Sequence, residues 1–357
     1  MINAGYVLLQ STEYKSGHRC TYQYTSLLLE NKPLSTFEYR WIVSTEMGKK
    51  ILAVFGATGL QGGSVIDYVL SNAELSSEYS IRAVTRDITK PLSQALRNQG
   101  IEIVPGDADA PDTLSAALSN ADTVFIVTRT VYDDLLKERE FRQTKAIADA
   151  AVNAGAKYLI YSTMVHAQRL YGQEVVAFDS KAEGELYIRS LPIDVAFFAP
   201  GMFMQNFLDP WELRQVPDQP GVYCITNFIP GDTAVPFIDA RADTGKFVGA
   251  ILARPSRHVG RMFCAATRMY TLNEVAGIIT RVTGKETIYT QKSEKEWAES
   301  VAQEVAGPRV AMYKFIQDPG YYGECSKEKV AWTSEQVDGG LTTFEEFLER
   351  NDVFAAH

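Results

Sequence analysis

Three glycines, Gly56, Gly59 and Gly62, end the apolar run of residues 51–55 in Ile51-Leu52-Ala53-Val54-Phe55-Gly56-Ala57-Thr58-Gly59-Leu60-Gln61-Gly62-Gly63. A turn this tight needs residues that tolerate unusual dihedrals, and a pyrophosphate reaches backbone N–H groups only where no Cβ intervenes. Val65, Ile66, Val69 and Leu70 follow at helical spacing, so the phosphates would meet a helix N-terminus, where unpaired donors and the macrodipole favour anions. Glycine turns also serve only to pack a helix on a strand; the strand, turn and helix order here favours a dinucleotide cradle.

About 20 residues beyond such a turn, an acidic side chain selects NAD, whereas an arginine accommodates the 2'-phosphate of NADP. The second strand ends Ala83-Val84-Thr85-Arg86-Asp87, which puts Arg86 first after the strand, with Lys90 as a second positive charge. Guanidinium geometry suits a phosphate monoester, so NADP(H) is the expected cofactor. In the alternative, Asp87 holds the ribose and Arg86 is its ion-pair partner. Gly106-Asp107-Ala108 places a carboxylate where an adenine amino group would sit, or else an ordinary turn residue before the next helix. Thr128, Arg129 and Thr130 follow the fourth strand and line the same edge, near the ribose and nicotinamide.

The elements that must position these residues alternate regularly. Strand-like runs at 51–55, 81–85, 102–105, 123–127, 158–162 and 194–198 are separated by helical patterns ending near Leu70, at 92–98, 112–118, 134–154 and 181–189. This is βαβ alternation and predicts an α/β, Rossmann-type doubly wound parallel sheet of six strands, with its ligand crevice at the carboxyl ends. Beyond Pro200 the alternation weakens into a smaller mixed α/β C-terminal lobe, with strands at 263–266 and 287–290 and helices at 272–282, 295–306 and 344–350. The expected organisation is a poorly ordered extension over 1–47, the dinucleotide-binding core over 48–200, and a substrate or partner lobe over 201–357 interleaved with it. In the extension, Tyr22, Tyr24 and residues 27–29 alternatively form an edge strand or capping hairpin.

The 357 residues carry a formal charge of -9, which argues against a broad electrostatic footprint for nucleic acid. Cys20, Cys224, Cys264 and Cys325 fall in none of the paired spacings of zinc or dithiol sites; no metal is expected, and reduced thiols fit the cytoplasm or nucleus. No apolar run approaches the roughly 18 to 20 residues of a membrane span.

Taken together, residues 56–63, Thr85-Arg86, Gly106-Asp107, Tyr161-Ser162, Lys181 and the run 200–207, Pro-Gly-Met-Phe-Met-Gln-Asn-Phe, resemble the NmrA-like family, atypical members of the short-chain dehydrogenase/reductase superfamily. The likeness spans about residues 49–350. That family includes redox-sensing transcriptional co-regulators and, more broadly, isoflavone-reductase-like enzymes. Carried over by position, the resemblance implies NADP(H) contacts from Gly56, Ala57, Thr58, Gly59, Leu60, Gln61, Arg86, Lys90, Asp107, Thr128 and Lys181, and from Phe203, Met204, Gln205 and Asn206; Thr130 and Arg142 are further candidates.

The superfamily's usual catalyst is a Tyr four residues before a Lys, and here Ala177 stands four before Lys181. An enzyme therefore needs another acid. The candidates are Lys181 itself, as the resemblance implies, or Tyr171 and His166 from the loop after the fifth strand, with Ser162 and Thr163 orienting a carbonyl. Lys181 alternatively only binds the nicotinamide ribose. Met202, Phe203, Met204, Phe207 and Trp211 supply an apolar wall for a substrate or a core beneath the lobe, and Asp239 and Asp243 are expected to cap or brace a helix. Two functions follow: an NADPH-dependent reductase of a small-molecule substrate, or an NADP-sensing regulator acting through a protein partner.

Overall fold

The computed structural model describes residues 48–209 and 212–355, together with one strand pair nearer the N-terminus. The chain separates into two units, 1–48 and 49–357. In the first, Leu28–Leu29 pairs antiparallel with Lys32–Pro33. The rest of the expected extension, with Cys20, Tyr22 and Tyr24, lies outside the described residues.

The second unit is built on a seven-stranded, all-parallel sheet. Its strands are β1 (Lys50–Phe55), β2 (Tyr79–Thr85), β3 (Glu102–Pro105), β4 (Ala121–Ile126), β5 (Tyr158–Ser162), β6 (Asp194–Pro200) and β7 (Met262–Ala265). Their spatial order is β7-β6-β5-β4-β1-β2-β3, so the winding reverses between β1 and β4, and the carboxyl end of that boundary is where such sheets bind ligands. Leu52, Ala53 and Val54 have no exposed surface, as expected of a strand covered on both faces.

Six strands were expected, and the seventh corrects that count. The run near 263–266 belongs to the main sheet rather than the smaller region, with Met262 beside Phe197 and Ala265 beside Pro200. The cause is a crossover helix that β-alternation alone does not announce. Helix α5 (Ala240–Ala253) packs against α1 (Leu60–Ser71), the helix after the glycine turn, and returns the chain to the sheet edge. Close approach is possible because a Cβ on Gly245 would lie 2.2 Å from the Ser64 carbonyl oxygen. The Gly245 amide donates to Ser64 Oγ at 2.8 Å.

Four more helices matter for the site: α2 (Pro91–Asn98), α3 (Leu136–Asn153), α4 (Val176–Arg189) and, past α5, the helix at Gln303–Gln317, α6. The expected single helix over 295–306 is two, Glu294–Ser300 and α6, each with its own start. Beyond the main sheet lie two three-stranded sheets, one joining Met202–Phe203, Ala234–Ile238 and Arg268–Thr271, the other Arg214–Gln215, Tyr223–Asn227 and Thr287–Gln291. As expected, Asp239 caps α5, accepting from the Arg241 and Ala242 amides, while buried Asp243 accepts from the Thr342 amide at 2.8 Å. No described helix is long and apolar enough to cross a membrane.

Candidate cofactor and substrate site

The glycine turn works through its backbone. Gly56 has φ +63°, a left-handed conformation that suits glycine. A Cβ on Gly62 would lie 2.3 Å from the Gly56 carbonyl oxygen, so the third glycine lets α1 start directly on the turn. No side chain caps α1 and no acidic residue occupies its first turn, which leaves the helix's positive end for an anion.

A cavity of about 210 Å³ opens beside this turn. Its walls include Gly56, Ala57 and Thr58 from the turn, Arg86 and Lys90 after β2, Asp107 and Ala108 after β3, and Thr128 and Arg129 after β4. These expected residues, from four separate strand ends, thus converge. Arg86 is exposed. Asp87 turns to Thr89 instead, its Oδ1 accepting from the Thr89 amide at 2.9 Å and hydroxyl at 2.6 Å, and those bonds hold its carboxyl below the usual range. Among the described residues Arg86 and Asp87 form no ion pair, so the guanidinium is not engaged as the alternative reading required.

Thr128 also borders a second cavity of about 440 Å³, so the two spaces meet at the carboxyl end of β4. Gln61 and Ser162 line it, joined by a 2.8 Å hydrogen bond from the serine hydroxyl. Thr130, Thr163, Phe203 and Asn206 border it as well. Lys181 enters from α4, whose first turn also contributes Ala177 and Phe178.

The lysine is tied down by a residue the sequence reading did not single out. Glu140, on α3 and without exposed surface, accepts from Lys181 Nζ at 2.8 Å, from the Thr130 hydroxyl at 2.9 Å and from the Ser180 hydroxyl at 2.5 Å. Lys181 Nζ donates also to Thr128 Oγ1 at 3.2 Å. A signal was present: Leu136, Glu140, Thr144, Ile147 and Ala151 form one buried stripe of α3, and charge on a core-facing stripe demands a partner.

Several other candidates are placed away from both cavities. His166 is held between Asp179, 2.8 Å from its Nδ1, and Glu183, 3.1 Å from its Nε2. The Tyr171 hydroxyl accepts from the Glu324 amide, and its ring packs edge-on against Phe315. Met204 and Phe207 are core residues. Gln205 bonds to Asp239 and to the Ala240 amide, bracing α5 rather than reaching a cavity. Arg142 pairs with Asp109 at 2.9 Å. Leu60 is exposed on the first turn of α1, and Trp211 lies outside the described residues.

Tyr161 approaches Lys181 without serving it. Its buried hydroxyl donates to the Lys181 carbonyl at 3.1 Å and bonds Thr144, and burial pushes its phenol pKa up. The larger cavity is also lined by Tyr132, Glu212, Arg309, Tyr313 and Tyr321, none of which local spacing flagged. Burial raises all three phenols there, and raises the half-buried Glu212 carboxyl to about 7.

The model of the NmrA-like family matches residues 48–348. The NmrA-like oxidoreductase FrzB of Cladobotryum sp. is 30% identical over 266 residues, 67% of this chain and 75% of its own. The NmrA-like oxidoreductase himF of Aspergillus japonicus is 27% identical over 300 residues, 80% of this chain and 89% of its own. Among solved structures, the negative transcriptional regulator NmrA superimposes with a TM-score of 0.71 at 19% identity, covering 84% of this chain and 94% of its own. The Citrobacter sp. triphenylmethane reductase complexed with NADP(H) gives 0.67 at 22% identity, covering 84% and 99%. These two likenesses speak for the fold.

Proposed function

The chain belongs to the NmrA-like family, and from that membership we propose that it is an NADP(H)-dependent oxidoreductase reducing a carbonyl, imine or activated double bond of a small specialised metabolite. The observation that carries the reading is the junction at Thr128, where a backbone-built, arginine-edged space runs into a larger aromatic-walled one holding Lys181. The dinucleotide fits the residues present: the helix after the glycine turn has no side-chain cap and no acidic residue in its first turn, and among the described residues Arg86 has no paired carboxylate. When bound, the reduced nicotinamide supplies hydride to an acceptor carbon.

The remaining work falls to the chain. The N-terminus of α1 holds the pyrophosphate, and Arg86 with Lys90 takes the 2'-phosphate. Gln61 and Ser162, bonded to each other, fix the entrance to the larger space. Lys181 is kept in place by Glu140 and Thr128, which use two of its three donors and leave one for a ribose hydroxyl or substrate oxygen. Phe178 and Phe203 exclude water from the acceptor.

A second reading, a non-catalytic NADP-sensing regulator that acts on a protein partner, is favoured by Ala177 standing where the superfamily's Tyr would be. One experiment separates the two. NADPH consumption is followed against a panel of aldehydes, ketones, imines and enones, while NADP and NADPH affinities are measured separately. Turnover supports the enzyme; tight binding without turnover, with cofactor-dependent retention of a partner protein, supports the regulator.

A further inference from the structure

A reductase needs a proton as well as hydride, and the groups that line the larger cavity differ in their ability to give one. Ala177 offers none. Lys181 is engaged by Glu140 and Thr128. Tyr321 donates its hydroxyl to the Pro200 carbonyl, and burial raises the Tyr132, Tyr313 and Tyr321 phenols above their ordinary range, which makes each a poorer donor. Arg309 does not deprotonate. Two carboxylic acids remain, Asp209 and Glu212: Asp209 is exposed to water, whereas Glu212 is half-buried, lines the same cavity as Lys181, Gln61 and Ser162, and among the described residues its carboxyl has no hydrogen-bond partner.

Resting on the reductase reading above, we propose that Glu212 is the proton donor of this site, and that the cavity therefore takes a substrate whose acceptor heteroatom, or enone α-carbon, meets the Glu212 carboxyl rather than the Lys181 ammonium. As the acceptor carbon receives hydride from the reduced nicotinamide, the Glu212 O–H bond breaks and its proton bonds to the acceptor atom. The O–H electron pair stays on the carboxylate, the substrate gains two electrons, and a solvent proton reloads the acid. Donation from Glu212 frees Lys181 for binding and makes the missing Tyr unnecessary.

The groups facing Glu212 agree with that role. Arg309 and Tyr313 approach from α6, and Asp209 and Arg214 lie on its own segment. Burial is the largest influence and raises the carboxyl to about 7; Asp209 adds to this, and the two arginines oppose it. An acid with such a value is protonated in a useful fraction at neutral pH and gives a competent base after transfer.

The test compares wild type, Glu212→Gln and Glu212→Asp, using the best substrate of the NADPH panel. Wild-type kcat is expected to fall as pH rises through about 7, because the acid must carry its proton. Glu212→Gln is expected to lose about 100-fold or more in kcat and to lose that limb, with NADP affinity unchanged; Glu212→Asp is expected to keep a pH-dependent rate. Independently of turnover, carbon NMR of protein carrying carboxyl-labelled glutamate is expected to show one resonance titrating near neutrality that is absent from Glu212→Gln. Turnover in Glu212→Gln at the parental rate and pH profile overturns the proposal and leaves the reductase reading standing, as does a Glu212 carboxyl titrating near the ordinary ~4.3. No NADPH turnover by wild type overturns both.

Discussion

The two cavities that meet at Thr128 are built by opposite means. The smaller one is walled by short stretches directly after β1, β2, β3 and β4, and its central contacts come from backbone and missing Cβ atoms. The larger one gathers side chains from segments as far apart as Gln61, Lys181, Glu212 and Tyr321. A site made of backbone at strand ends is held by the sheet itself. One made of distant side chains depends on ion pairs and burial, so its chemistry is tunable and its failures are electrostatic.

That contrast can be broken first at the Glu140–Lys181 pair. Glu140→Gln leaves an ammonium largely buried without its carboxylate and is expected to cost about 3 kcal/mol of stability in urea unfolding. A double change with Lys181→Met should recover most of the loss; additive losses would show that the pair is not the cause. Next, Gly62→Ala puts a methyl against the Gly56 carbonyl, and backbone cannot yield as a flexible side chain does. The expectation is a loss of about 1–3 kcal/mol in stability together with weakened binding of NADP and NAD alike, read by titration calorimetry.

Arg86→Ala should separate the two cofactors where Gly62→Ala does not. NADP binding is expected to weaken by about 1–3 kcal/mol and NAD binding to change little; equal losses would remove the selectivity role. The smallest effect is expected outside both cavities, at His258. Burial first, then Arg257, Arg254 and Arg261, lowers its pKa, and among the described residues its Nδ1 has no partner. The unfolded chain therefore binds this proton more readily. Stability from this residue is present above the unfolded value near 6.5 and is lost as pH falls below it. Because Glu212 titrates with the opposite sign in the same window, the contribution is read as the difference in urea midpoint between wild type and His258→Phe, which should be smaller at pH 5.5 than at pH 7.5.

The difference between the cavities also governs what could be read in advance. Gly56, Arg86, Asp107 and Thr128 were legible because each sits just beyond a strand whose apolar run marks where the carboxyl edge of the sheet must be. Lys181 was legible through its place in the family's pattern, and the structure sets it on the larger cavity beside Thr128. His166 and Tyr171 looked equally available as loop residues, but Asp179, Glu183, the Glu324 amide and Phe315 claim them. Met204 and Gln205 lie in the same matching run as Phe203 and Asn206, yet the tight helical turn over Met204–Leu208 directs one into the core and the other to Asp239.

Sequence alone determined the parallel sheet, the glycine turn and the arginine beside it, because strand period, helix period and a turn's need for glycine are local properties of consecutive residues. Tertiary structure alone decided that β7 completes the sheet, that Glu140 anchors Lys181, and that Glu212 faces the same space. Those facts depend on which distant segments meet, and on how much water their meeting removes from a charge; neither is written in the spacing of neighbours along the chain.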